Sequence, residues 1–329
     1  MYNIESKKLL ILRILKILET YSDMEHPLKH SKILELLRTE FNIECERKAI
    51  GRNISFLIEG GYPVASSRKG VYIESRLFDN SELKLLIDSI LASRHINSKH
   101  SQQLIDKLGQ LGGIHFKKKF KNLKVSDWDK SPNMTFFLNI EQIDEAIERC
   151  RKIEFIYNCY DINKKLCPKK ADKYIVNPYF MMLHNQRYYL ICNVDKHDNL
   201  SNFRIDRITD LSIRKDEIKP IEALPEIKSI NPARIATEHP YMFTGESDYI
   251  VLETEKSYIG DIIDWFGENF CVDEVSDDII RVRLKANFSA IRYWALQYGT
   301  NIKIIEPECL KEIIVNEIKV MASKYEVAL

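Results

Sequence analysis

Apolar residues recur at helical spacing in three blocks near the start of the chain. Leu10, Ile14, Ile17, Leu18 and Tyr21 share one face of a segment spanning residues 4 to 21, with Lys8, Arg13, Lys16 and Glu19 opposite. After Pro27 a second pattern runs from Ser31 to Glu40 on Ile33, Leu34, Leu36 and Leu37. A third, from Arg47 to Glu59, is expected to bury Ile50, Ile54, Leu57 and Ile58, and it ends at Gly60-Gly61, a helix-stop signal. The period shortens to two near Val64 and from Val71 to Ile73, on either side of the polar loop Ser66-Ser67-Arg68-Lys69-Gly70. Three helices and a hairpin predict a winged helix-turn-helix over residues 1–78.

Two further helical patterns (Leu83, Leu86, Ile87, Ile90; Leu104, Ile105, Leu108, Leu111) predict a helical connector over 79–139, broken at Gly112-Gly113 and a lysine run. A helix from Ile140 to Arg149 then leads into strand-like stretches at Ile153–Tyr157, Tyr174–Leu183, Tyr188–Val194 and Phe203–Ile213. Short strands bounded by turns predict a small β-barrel over 140–220. Pro220, Pro225, Pro232 and Pro240 mark a linker over 221–247. From 248 to 329 the order strand, helix, strand, strand, helix, strand predicts a βαββαβ unit of ferredoxin-like type. A last helix from Pro307 to Lys324 should use Leu310, Ile313, Ile314, Ile318 and Met321 as its core face. The fold class is therefore multidomain α+β.

Composition narrows the classes. With 45% hydrophobic and 29% charged residues in 329, and only 11 Gly and 10 Pro, the chain is neither disordered nor collagen-like. Arg13 and Lys16 interrupt the most apolar early stretch, so no membrane partner is expected, and without a secretory pattern the expected location is cytoplasmic. The seven cysteines are scattered without CxxC spacing and fit reduced thiols, with neither a metal nor a cofactor expected. Phosphate-loop, dinucleotide, zinc-protease and nucleophile-elbow motifs are all missing from the sequence, which argues against an enzyme.

Net charge is +1, but it is unevenly spread. Residues 1–130 hold 23 Lys and Arg against 16 Asp and Glu, residues 131–224 hold 15 against 14, and residues 225–329 hold 11 against 18. The basic end is the candidate for a polyanion, although Lys117, Lys118, Lys119, Lys121 and Lys124 also read as a solvated linker. On the third helix Arg47, Lys48, Arg52 and Ser55 lie off the apolar stripe, placed to meet phosphates or guanine edges in a major groove. Glu46 is a poor helix cap at its start. Arg68 and Lys69 at the hairpin tip can reach a phosphate. In the barrel, alternation puts Tyr188 and Leu190 on one face and Tyr189 on the other. Phe203 and Ile205 should point inward and Arg204 and Asp206 outward, where they form either an ion pair or part of a ligand surface. Arg207 has the wrong parity to join Arg204 in a straight strand.

Several of these stretches together resemble the WYL-domain transcriptional regulators of bacteria. The matching pieces are Ile153-Glu154-Phe155-Ile156-Tyr157, Asn177-Pro178-Tyr179, Arg187-Tyr188-Tyr189-Leu190 and Phe203-Arg204-Ile205-Asp206-Arg207-Ile208. Tyr188 stands where the family has its eponymous Trp. In the tail, Trp294-Ala295-Leu296-Gln297-Tyr298-Gly299 and Ile304-Ile305-Glu306-Pro307 are also similar. The resemblance implies a winged helix-turn-helix, a connector, an Sm-like or SH3-like WYL barrel and a C-terminal extension. It further implies that Tyr157, His184, Tyr188, Tyr189, Arg204 and Arg207 border the site of an effector such as a nucleotide or single-stranded nucleic acid. The expectation is a homodimeric regulator of double-stranded DNA whose WYL domain senses that effector. The alternative is an accessory protein that uses the domain on RNA or single-stranded DNA to modulate a partner machine.

Overall fold

The computed structural model describes residues 9–119, 130–224, 232–245 and 247–327. It divides into two compact units, Met1–Pro132 and Asn133–Leu329.

The first unit begins with α1 (Leu10–Tyr21), α2 (His30–Phe41) and α3 (Arg47–Glu59), followed by the antiparallel pair β1 (Val64–Ser67) and β2 (Gly70–Ile73). One core joins them, built on Ile14, Ile17, Leu18, Ile33, Leu37, Ile50, Ile54 and Leu57, all at most 4% exposed. Each such side chain contributes roughly 1.5–3 kcal/mol by leaving water. Ile58 does not join them. It is exposed, because three buried positions per two turns already fill the face that α3 turns inward. Residues 4 to 8 of the first helical pattern lie outside the described residues.

Leu28 adds a contact that periodicity does not reveal. Its backbone exchanges two hydrogen bonds with Val71 (2.8 and 2.9 Å), so the α1–α2 turn supplies a third strand position to the hairpin. Gly70 makes this possible: its φ is +151°, and a Cβ there would lie 2.5 Å from the Leu28 carbonyl oxygen. Gly70→Ala should therefore displace the hairpin from the turn and destabilise the unit by roughly 1–3 kcal/mol, read by thermal melting. An unchanged melting temperature would contradict this packing.

Then follow α4 (Asn80–Ala92), α5 (Ser98–Leu111) and α6 (Gly113–Lys119). The break expected at Gly112-Gly113 is a turn between α5 and α6. Gly113 takes φ +77°, and the lysine run, as far as Lys119, begins inside a new helix that buries Phe116. Lys121 and Lys124 lie outside the described residues.

In the second unit, α7 (Phe136–Glu148) precedes β3 (Arg151–Tyr160), β4 (Leu166–Pro168), β5 (Tyr174–His184), β6 (Arg187–Asn193), β7 (Leu200–Arg204) and β8 (Ile208–Glu217). The strands form a curled antiparallel sheet in which β3 pairs with β4, β5 and β8, β5 with β6, and β6 with β7. Pro178 interrupts no ladder because a register shift sits between Pro178 and Phe180. Asn185 and Gln186, both at positive φ, close the tight β5–β6 hairpin. The single strand expected over Phe203–Ile213 is two strands, separated by a 3-10 turn at Ile205–Arg207. The stretch expected to be a linker holds α8 (Pro232–Glu238), and Met242 is buried with Met182 and Ile191 of the sheet.

The remainder comprises β9 (Ser247–Glu255), α9 (Ile259–Phe266), β10 (Cys271–Glu274), β11 (Ile279–Asn287), α10 (Phe288–Gln297), β12 (Ile302–Glu306) and α11 (Glu308–Lys324). Its antiparallel sheet has the order β10-β11-β9-β12, with Trp294 fully buried beneath. Of the core face expected on α11, only Leu310 is buried. Ile313, Ile318 and Met321 are 43–47% exposed, because only the first turns of the helix reach the sheet. All seven cysteines are free thiols. No helix among the described residues is long and apolar enough to cross a membrane.

Candidate nucleic-acid interface and effector surface

The burial of Ile50, Ile54 and Leu57 fixes how α3 is rolled. Arg47, Lys48, Arg52 and Ser55 are consequently exposed. Lys48, Gly51, Arg52, Ser55, Glu46 and Phe56 line an open concavity of about 600 Å³. No side-chain cap bond forms at Glu46. Arg68 and Lys69 occupy the exposed β1–β2 turn, which Ser67 shapes by donating from its hydroxyl to the Gly70 carbonyl (3.1 Å) and accepting from the Lys69 N–H (3.2 Å). Among the described residues these five cations have no ion-pair partner, whereas Lys32 and Arg38 on α2 pair with Glu35 and Glu44. Cations without an ion-pair partner on an exposed helix face and a turn leave their hydrogen-bonding capacity for an external anion.

In the second unit the 3-10 turn at Ile205–Arg207 organises the polar groups. Three asparagine side chains hold it. Asn133 donates to the carbonyls of Asp206 (3.1 Å) and Ile208 (2.8 Å), Asn139 to that of Ile208 (2.8 Å), and Asn158 to that of Arg207 (2.9 Å). The turn buries Asp206 to 1% exposure. Arg204 grips that carboxylate with two bonds, Nε to Oδ1 at 3.0 Å and an η nitrogen to Oδ2 at 2.7 Å, and Arg187 lies 3.6 Å from Oδ2. The ion pair weighed in the sequence is therefore present, and it is buried.

Tyr189 lies directly across the ladder from Arg204, and Tyr157 accepts a bond from the Arg204 backbone N–H at 3.3 Å. Burial raises the pKa of Tyr157 even though Arg204 and Arg207 both act to lower it. Burial likewise raises that of Tyr189, against the opposing charges of Arg204 and Arg187. Both hydroxyls thus stay protonated as donors. The 3-10 turn removes the parity objection to Arg207, which shares the electrostatic neighbourhood of Tyr157 with Arg204. Its guanidinium stands 5.7 Å from the Tyr160 ring, and its Nε is buried without a partner. Arg187 and Arg204 thus flank the buried Asp206 carboxylate, Arg204 and Arg207 act on Tyr157, and the three guanidiniums outnumber that one carboxylate, a balance suited to an anion.

The other two residues are engaged elsewhere. Tyr188 packs edge-on against Phe136 of α7 (6.2 Å, 89°), and His184 donates from Nε2 to the Pro240 carbonyl (2.9 Å). The sequence reading missed Arg187 and the three asparagines. Arg187 opens the Arg-Tyr-Tyr-Leu motif, so a signal for it existed, whereas Asn133, Asn139 and Asn158 are brought together only by the fold.

Residues 139–213 match the WYL domain. The chain carries a WYL domain. The match runs from within α7 into β8, so Tyr157, Arg187, Tyr189, Arg204, Asp206 and Arg207 all lie inside it. Two solved structures are similar to nearly the whole chain. Proteasome accessory factor B/C (PafBC) of Arthrobacter aurescens is 18% identical with a TM-score of 0.31, the alignment covering 98% of this chain and 49% of that one. A CRISPR Cas-related protein is 14% identical with a TM-score of 0.40, covering 97% and 84%. The chain carrying this WYL domain spans about half the length of the Arthrobacter protein. No curated protein matches it.

Proposed function

We propose that the protein is a non-catalytic, sequence-specific regulator of double-stranded DNA, acting in the cytoplasm as a homodimer, whose WYL domain senses a nucleotide or single-stranded nucleic acid. In this reading α1, Leu28, α2, α3, β1 and β2 form a winged helix-turn-helix, the curled sheet is an Sm-like or SH3-like barrel, and the β9–β12 unit is the ferredoxin-like extension. The observation that carries the reading is α3, whose buried Ile50, Ile54 and Leu57 leave Lys48, Arg52 and Ser55 exposed around one concavity. Its recognition chemistry is donation to phosphates and base edges.

The sensor reading rests on the arginine and tyrosine groups of the WYL domain. Guanidiniums fix a phosphate through charge-assisted bonds, while an aromatic face stacks on a base. Arg204 is a poor probe of this, because its removal also exposes the pairing of buried Asp206. Arg207 is the better one, since its Nε has no partner to lose. Calorimetric titration with mono-, di- and cyclic nucleotides and short oligonucleotides should show binding to the parent that weakens by at least tenfold in Arg207→Ala, about 1.4 kcal/mol. Binding unchanged in that variant would place the effector elsewhere. An effector can shift DNA binding only by its difference in affinity for two arrangements of the protein.

The dimer reading is supported by α11, whose Ile313, Val315, Ile318 and Val320 are exposed beside an apolar groove of about 860 Å³. Light scattering should give twice the 38.6 kDa chain mass at micromolar concentration. A monomer on and off DNA would remove this element of the proposal.

A further inference from the structure

Outside the WYL domain, the first unit brings His115 together with two side chains some ninety residues earlier in the sequence. Asp23 and His26 lie in the turn after α1, and His115 lies on α6. One ligand atom of each lies within 4.8 Å of the other two. His26 Nδ1 is 2.7 Å from Asp23 Oδ1, and the two imidazoles lie parallel, 3.6 Å apart between centroids at 7°.

These groups are held in place by backbone. Asp23 Oδ1 accepts from the N–H groups of Glu25 (3.0 Å) and His26 (2.8 Å), which fixes the turn. His115 Nε2 is 3.3 Å from the Tyr21 carbonyl. Donating there, the neutral ring keeps the Nδ1 lone pair for another partner. Such an outer bond to a carbonyl is how proteins orient an imidazole that ligates a metal. The helix carrying His115 is docked closely. A Cβ on Gly113 would meet an η nitrogen of Arg76 at 2.9 Å and the carbonyls of Glu19 and Thr20 at 3.0 and 3.1 Å. Arg76, the neighbouring cation, is turned to the carbonyls of Ser22 (2.9 Å) and Leu111 (3.3 Å).

We propose that Asp23, His26 and His115 form a binding site for a divalent first-row transition ion of the zinc class. Two imidazole nitrogens and one carboxylate oxygen are a known zinc donor set that leaves a fourth position for water. Calcium and magnesium prefer oxygen donors alone. His26 is exposed and the other two are half-buried, so an ion can enter from solvent. Binding tilts the two stacked rings until their lone pairs converge. The ion then clamps α6 to the turn that leads to Leu28, the residue bridging to the hairpin.

The test uses the full chain, stripped with a chelator and titrated calorimetrically with Zn²⁺. The parent should bind one equivalent more than His26→Ala or His115→Ala, and its melting temperature should rise with Zn²⁺ while theirs does not. Cysteines also take zinc, so Co²⁺ serves as the second probe, because coordination by nitrogen and oxygen gives no thiolate charge-transfer band. In the unsubstituted protein, Co²⁺ should perturb the ring signals of His26 and His115 before those of the other histidines, a readout that needs no variant to fold. Equal stoichiometry in parent and variants, or cobalt signals that spare both rings, would overturn the site.

Discussion

Asp206→Ala should destabilise the WYL domain by about 3–5 kcal/mol, the usual cost of removing one partner from a buried ion pair. Asp206 is 1% exposed and receives two bonds from Arg204, while the Arg187 guanidinium stands 3.6 Å away. Without the carboxylate, two guanidiniums share a partly dry site with their neutralising charge gone. Total stabilities of domains run to only about 5–15 kcal/mol, so the loss is a large fraction of the whole. Thermal melting should fall by roughly 10 °C or more. Replacing both partners, Asp206→Leu with Arg204→Met, should cost less than Asp206→Ala alone, since only Arg187 then loses its carboxylate neighbour. A single-variant loss below about 1 kcal/mol would show that the pair is solvated and exchangeable.

The second large effect is expected on DNA. Lys48 and Arg52 line one concavity on α3 and belong to no ion pair among the described residues. Each should contribute about 1–3 kcal/mol if it reaches a base edge or phosphate. The double variant Lys48→Ala, Arg52→Ala should therefore lose roughly two orders of magnitude or more in affinity for a specific duplex, with the fold intact because both side chains are exposed. Lys69→Ala should weaken all duplexes alike and flatten the salt dependence by about 0.9 in log–log slope. Fluorescence anisotropy at several salt concentrations separates the two patterns. Equal affinity of the double variant and the parent would remove α3 from the interface.

Much of this architecture was legible in the sequence because burial imposes periodicity. The stripe Ile50, Ile54, Leu57 sets the outward face of α3, and Phe203 and Arg204 lie on a strand as their pattern predicts. What escaped was decided by contacts between distant segments. Leu28 is a strand position only because Gly70 lets another backbone approach it. The turn at Ile205–Arg207 breaks an apparently continuous strand because Asn133, Asn139 and Asn158 satisfy its carbonyls from elsewhere. Strict alternation therefore does not apply to Arg207, which lies in that turn. On α11 the periodic stripe was real but its partner was short, so Ile313, Ile318 and Met321 stay exposed. Asp23, His26 and His115 follow no spacing motif, since α6 has to fold back on α1 before they meet.

The central claim is that this WYL-domain protein recognises particular duplex sequences through α3. Genome-wide recovery of DNA bound by the purified full chain, run beside the Lys48→Ala, Arg52→Ala variant at one salt concentration, tests it most directly. The account expects the parent to enrich a defined sequence of two symmetric half-sites and the variant to lose that enrichment. Recovery of DNA in proportion to the input by both proteins would contradict it.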